Sequence, residues 1–229
     1  MTREVDERFV DHTLGDGPHT DADGSREHRA PDATPEPPPM AGRRVILRPV
    51  YPEDYGFLYS LAVSPEIGFR WRYRGAVPAY DVFLRELWAG ILVQFMVCDV
   101  ATGEPVGFVV AHSADLKSGF AHVAVLMSPA AMGRGWGIEA GALFITYLFA
   151  TWSFRKLYAE SLAFTYGAVA SGVERVFREE GCLREHEFYQ GRYWDLHIAA
   201  VYRADWERGA IARLLARRGS RASGGVDDR

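Results

Sequence analysis

The sequence predicts an α+β fold, one sheet domain with helices laid on it. Three observations carry that prediction. Runs with strand composition come first and are joined by hairpin turns, and later strands alternate with helical runs. The glycine-rich stretch Met132-Gly133-Arg134-Gly135-Trp136-Gly137 lies between a strand pattern and a helical run. The 229 residues, 48% of them hydrophobic, suffice for one sizeable core, with a second domain not expected.

The elements follow in chain order. Residues 1–41 are rich in Asp, Glu, Gly, Pro and His and end in Pro35-Glu36-Pro37-Pro38-Pro39. Such a segment has too little apolar surface to offset its ordering entropy and is expected to stay unstructured. Its His12, His19 and His28 have no cysteine partners and read as solvated. The domain then spans 42–207. Residues 44–50 form a strand, and 53–63 a helix entered through Pro52 and left at Ser64-Pro65. In 80–89, Phe83, Leu84, Leu87 and Trp88 recur at helical spacing. A strand over 93–100 turns at Thr102-Gly103-Glu104-Pro105 into a strand over 106–112. A turn at 115–118 leads into a strand over 119–127, then the glycine turn and a helix over 138–151. A strand over 157–164 is followed by a helix over 169–180, stopped by Gly181 as a C-terminal cap. Strands 185–189 and 193–202 close a hairpin around Gln190-Gly191-Arg192. Residues 208–229 are an Arg-rich tail, expected to fray.

Composition narrows the function classes. A net charge of -4 argues against a general nucleic-acid binder. No apolar run has the length of a membrane span, and the N-terminus lacks the apolar region of a secretory signal, so a cytoplasmic location is expected. Cys98 and Cys182 make neither a disulfide framework nor a zinc site by spacing, and are expected to be small buried residues.

The chemistry concentrates at the glycine turn. Glycine lets the backbone turn sharply, and the first N–H groups of the following helix have no partner within it. Together with the helix dipole and Arg134, they make a place for a phosphate or pyrophosphate. Upstream, in 120–127, alternate residues share a face, so His122 lies with Phe120, Ala124 and Leu126. A histidine suits a base working near neutral pH. The connection Phe69-Arg70-Trp71-Arg72-Tyr73-Arg74-Gly75 alternates aromatic and arginine residues, which pair with carboxylates and stack on rings.

The order of these pieces resembles the GNAT acyltransferase superfamily, most closely the branch that includes ribosomal-protein alanine acetyltransferases. Arg44-Val45-Ile46-Leu47-Arg48-Pro49 resembles its opening strand, and Thr102-Gly103-Glu104-Pro105-Val106-Gly107 its hairpin. Ser128-Pro129 followed by Gly135-Trp136-Gly137-Ile138-Glu139-Ala140 resembles its pyrophosphate loop. Val176-Phe177-Arg178-Glu179-Glu180-Gly181-Cys182 and Gly191-Arg192-Tyr193-Trp194-Asp195 resemble its later helix and closing hairpin. The resemblance covers about residues 43–206. It implies a mixed, mostly antiparallel central sheet flanked by helices. It implies acetyl-CoA or another acyl-CoA as co-substrate, with no metal. The pantetheine arm would lie along the strand end at Val125, Leu126 and Met127, and the pyrophosphate on Met132, Gly133, Arg134, Gly135, Trp136, Gly137 and Ile138. The acceptor would be an amine of a small molecule or a protein N-terminus, beside Trp71 and Tyr73. A carrier protein is a further possible partner, and the chain would act as a monomer or homodimer.

The chain departs from that family at three places. Met132 stands where Gln or Arg is usual, and Ala170 where Asn is usual. Phe177 and Val173 stand where a Tyr or Ser often protonates the departing thiolate, which leaves Tyr166 as the stand-in acid beside His122 as base. Glu139 reads as a helix-start acid, and His197 as structural. His112, Asp115 and Glu160 are further cleft candidates that no spacing selects. A lysine-like amine costs about 4.6 kcal/mol to deprotonate at neutral pH. Positioning contributes roughly 7–11 kcal/mol, so transfer survives the loss of one acid. Two other readings compete: a CoA-binding module with little catalysis, and acyl transfer to oxygen or from a carrier protein.

Overall fold

The structure is a computed structural model that describes residues 40–69, 71–166 and 176–209. Within them, eight strands form a single sheet: β1 (Met40–Ala41), β2 (Val45–Arg48), β3 (Ile91–Asp99), β4 (Pro105–Asp115), β5 (Phe120–Met127), β6 (Lys156–Leu162), β7 (Phe177–Tyr189) and β8 (Arg192–Tyr202). Their spatial order is β1-β2-β3-β4-β5-β6-β8-β7. Every neighbouring pair is antiparallel except β5 with β6. The helices are α1 (Tyr55–Val63), α2 (Tyr80–Glu86), α3 (Trp136–Thr151) and α4 (Arg203–Arg208). No described helix is long and apolar enough to cross a membrane.

Alternation along the strands sends side chains to two cores, one on each face. On one face, Val97, Val109, Ala121 and Val123 meet Phe144 and Leu148 of α3. On the other, Met96, Phe108 and Val110 meet Leu58 and Leu61 of α1, Phe83 of α2, and Trp71. α1 is anchored at its start by Asp54, whose carboxylate is 3% exposed and takes both guanidinium nitrogens of Arg48 at 2.6 and 2.7 Å. The Tyr51 amide also donates to Asp54.

One predicted element is corrected. The helix expected over 169–180 lies outside the described residues through 175, but Phe177 to Glu180 belong to β7, where Phe177 to Glu179 pair with Val201 to Ala199 of β8 and Glu180 is the bulged residue. Cross-strand pairing overrides local helix preference here, because Phe177 reaches the α3-side core and Glu180 finds three donors on β6 and β8. Gly181 is therefore not a helix cap; it follows a β-bulge between Glu179 and Gly181. Cys182 is correspondingly only half-buried, whereas Cys98 is buried as expected.

Candidate active site

β5 and β6 run parallel and pair only over Phe120–Lys156, Ala121–Leu157 and His122–Tyr158. Beyond that last pair the strands part. From Val123 onward β5 is bonded to β4 on one side and, among the described residues, has no strand on its other edge. A fork of this kind exposes unpaired backbone N–H and C=O groups in a row, ready to accept an extended chain.

α3 closes over the same strand end. Gly135 caps it in the left-handed region, φ 76°, and Gly133 has φ 74°, backbone that a side chain would strain. Gly137 lets the first turn lie against β5: a Cβ there would meet Met127 Cγ at 3.2 Å. The Arg134 guanidinium lies 5.1 Å from the Trp136 ring. A second cation joins it, since Arg44 Nη1 donates to the Arg134 carbonyl at 3.1 Å. Val125, Met132 and Ile138 are 38%, 52% and 60% exposed, so apolar surface flanks the loop and the open edge. Glu139 accepts from the amides of Arg43 and Arg44, tying α3 to the start of the sheet.

At the fork, four side chains share the face opposite α3. His122 Nδ1 is 3.5 Å from Glu160 Oε1. The His122 ring lies 5.2 Å from Tyr158, its partner on β6, and 5.6 Å from His112, its partner on β4. Burial, then the adjacent His122, hold the His112 imidazole below its ordinary value, while Glu160 works the other way. Tyr158 donates to Glu180 Oε2 at 3.0 Å. That carboxylate also takes Lys156 Nζ at 2.6 Å and the Tyr202 hydroxyl.

The sequence-predicted residues fall into three places. The strand and loop residues Val125 to Met127 and Met132 to Ile138 surround the open edge. His122 lies at the fork. Tyr166 is elsewhere: its ring stacks on His197 at 4.2 Å and its hydroxyl donates to Glu179 at 3.1 Å. His197 alternates with Ala199 and Val201, which places it on the α3 face, across the sheet from His122. Trp71 is buried against Phe108, ring centroids 4.5 Å apart. Tyr73 packs on the same core, and burial, then the Glu86 carboxylate, push its hydroxyl upward. Ala170 and Val173 lie outside the described residues, and Phe177 is on a strand. His112 and Glu160, unselected by spacing, prove to flank His122. Tyr158, Lys156 and Glu180 carried no sequence signal, because only the parallel docking of β6 on β5 brings them near the fork.

The fork, the glycine loop and the helix beyond it define the class. The family model described as an acetyltransferase (GNAT) domain matches residues 44–164, more than half of the chain. The chain belongs to the GNAT family and is an acyltransferase. No curated protein matches it in sequence. Among solved structures, it is similar to a spermidine N-acetyltransferase from Vibrio cholerae, solved with CoA and spermine. That likeness has 20% identity and a TM-score of 0.64, over 72% of this chain and 99% of that one. A GCN5-related N-acetyltransferase from Brucella melitensis gives 23% identity and a TM-score of 0.59, over 80% and 86%. A GNAT-family acetyltransferase from Bacillus anthracis gives 15% and 0.57, over 72% and 98%. At these identities the likeness establishes the fold: the mixed, mostly antiparallel sheet flanked by helices.

Proposed function

We propose that the chain transfers an acetyl or other short acyl group from acyl-CoA to an amine by direct attack. The observation that carries this reading is the fork after His122 and Tyr158, with an open strand edge and a glycine loop on one side and the His122–Glu160 pair at its base. The pantetheine arm adds as a strand along Val123 to Met127. The pyrophosphate rests on the amides of Gly133 to Ile138, where Arg134 and Arg44 add positive charge. Met132 offers no charge, and its exposed thioether leaves the backbone to hold the phosphates.

The acceptor amine reaches the thioester carbon from the face of His122. Its nitrogen bonds to the acyl carbon as His122 removes a proton, and the carbon–sulfur bond breaks to release CoA thiolate. Glu160 steadies the imidazole. A thiol with a pKa of about 8.5 departs without a strong acid. Its proton comes from solvent, since Tyr166, the acid expected from the sequence, donates its hydroxyl to Glu179 on the other face of the sheet. Trp71 and Tyr73 back the acceptor site as its wall. The Vibrio cholerae neighbour acts on spermidine. An amine of that kind is one acceptor class for this chain too, and the family branch suggested by the sequence extends the class to protein N-termini. The location that supplies acyl-CoA is the cytoplasm.

The test is CoA release from acetyl-CoA across a panel of polyamines, arylamines and peptide N-termini. His122→Ala should lower kcat/KM by about 10²- to 10⁴-fold while leaving CoA affinity unchanged. Tight acyl-CoA binding with no turnover on any amine would overturn the reading in favour of a CoA-binding module. Turnover on alcohols or carrier-protein thioesters alone would replace it with the other chemistry.

A further inference from the structure

We propose that Glu179, Cys182 and His197 form a binding site for a divalent transition cation, Zn2+ by its ligand chemistry, on the face of the sheet across from His122. The three side chains offer a carboxylate oxygen, a sulfur and an imidazole nitrogen whose ligand atoms all lie within 4.8 Å of one another. The backbone builds this trio. Cys182 and His197 are directly opposed on β7 and β8. Glu179 is three residues before Cys182, an odd separation that on a regular strand points to the other face. The bulge between Glu179 and Gly181 absorbs one residue and turns Glu179 back to the side of Cys182. The extra residue, Glu180, is spent on the opposite face, held by Lys156, Tyr158 and Tyr202.

The chemistry of the set selects the ion. Ca2+ and Mg2+ take oxygen ligands, whereas one sulfur, one nitrogen and one oxygen suit zinc and its neighbours. A thiolate and a carboxylate balance a doubly charged cation. Three protein ligands leave one position of a tetrahedron for water or an outside ligand. Ligand atoms in such a site stand about 3.5 Å apart, a modest closure from the observed spacing. His197 Nδ1 already lies 3.0 Å from Glu179 Oε1, so two of the three ligand atoms are brought together by the fold itself. The nearby Arg184 is engaged by Asp195 at 2.5 Å. A purely structural Glu179–His197 hydrogen bond has no need of Cys182.

The experiment uses the full chain, stripped with chelator and titrated with Co2+. The expected result is one equivalent bound with a sulfur-to-cobalt charge-transfer band and the d–d bands of four-coordinate cobalt, both displaced by Zn2+. The charge-transfer band reports sulfur ligation only, so histidines elsewhere do not enter it. Cys182→Ser should abolish the band and Cys98→Ser should leave it. Glu179→Gln, at an exposed position where folding is not at stake, should keep the band and weaken Zn2+ binding by about tenfold or more. Absence of the band in the unaltered chain, its survival in Cys182→Ser, or Zn2+ affinity unchanged in both Glu179→Gln and His197→Gln overturns the site.

Discussion

His112 and His122 face each other across β4 and β5, and His112 responds to pH in a defined direction. His112 is held below its ordinary 6.5, first by burial and then by His122. Between that lowered value and 6.5 the unfolded chain binds the proton and the folded chain does not, so stability falls as pH is lowered through that window. We expect His112→Asn to flatten this loss, read as the difference between urea midpoints at about pH 5 and about pH 7. A pH slope unchanged by the substitution removes His112 from the account. In the proposed mechanism Glu160 acts at the same scale, by positioning His122. Glu160→Gln should lower kcat with little change in KM for either substrate, since it leaves the donor edge and the His122 ring in place. A matching rise in the acceptor KM would show that Glu160 instead binds the amine.

At the scale of elements, the proposed donor site rests on the joint between β5 and α3. Gly135 sits at φ 76° with Arg44 Nη1 3.4 Å from where a Cβ would stand. Gly135→Ala should cost about 1 kcal/mol of stability and weaken CoA binding, because a side chain strains the left-handed cap from which the loop amides are presented. Isothermal titration with CoA and a urea melt measure the two effects separately. Loss of stability with full CoA affinity would show that the cradle tolerates a changed turn. Gly137 and Gly141 face Met127 and Val125 on the same side of α3, and a Cβ at either would stand 3.2–3.3 Å from them. This close approach, rather than the turn alone, is why the helix can lie over the open edge.

Across the whole molecule, the Arg48–Asp54 pair joins the second strand to the first long helix. Asp54 is buried and bidentate to Arg48, and the carboxylate raises the Arg48 pKa further above its ordinary value. Asp54→Ala leaves that guanidinium without its partner and should destabilise the chain by about 3 kcal/mol. Chemical denaturation checks this, and a loss under about 1 kcal/mol would mean that water or the Pro49 carbonyl compensates.

Much of this molecule was legible in its residues. The β-branched runs, the hairpin turn at Thr102 to Pro105 and the helical spacing of Phe83 and Leu87 reflect local backbone preference and alternation, which need no distant partner. The glycine loop and the face of His122 were readable for the same reason. Residues 177–180 were not: their sequence favours a helix, and only β8 alongside makes them a strand. Tyr158, Glu180 and the true surroundings of Tyr166 were equally hidden, since each depends on which strand docks beside β6. Local periodicity and glycine stereochemistry were enough for the order of elements, the glycine turn and the candidate base. The tertiary structure alone decided that β5 and β6 part after His122, that Glu160 and His112 flank it, and that a bulge gathers Glu179, Cys182 and His197. Those contacts join residues far apart in the chain, and cross-strand register, which sets them, is a property of the assembled sheet.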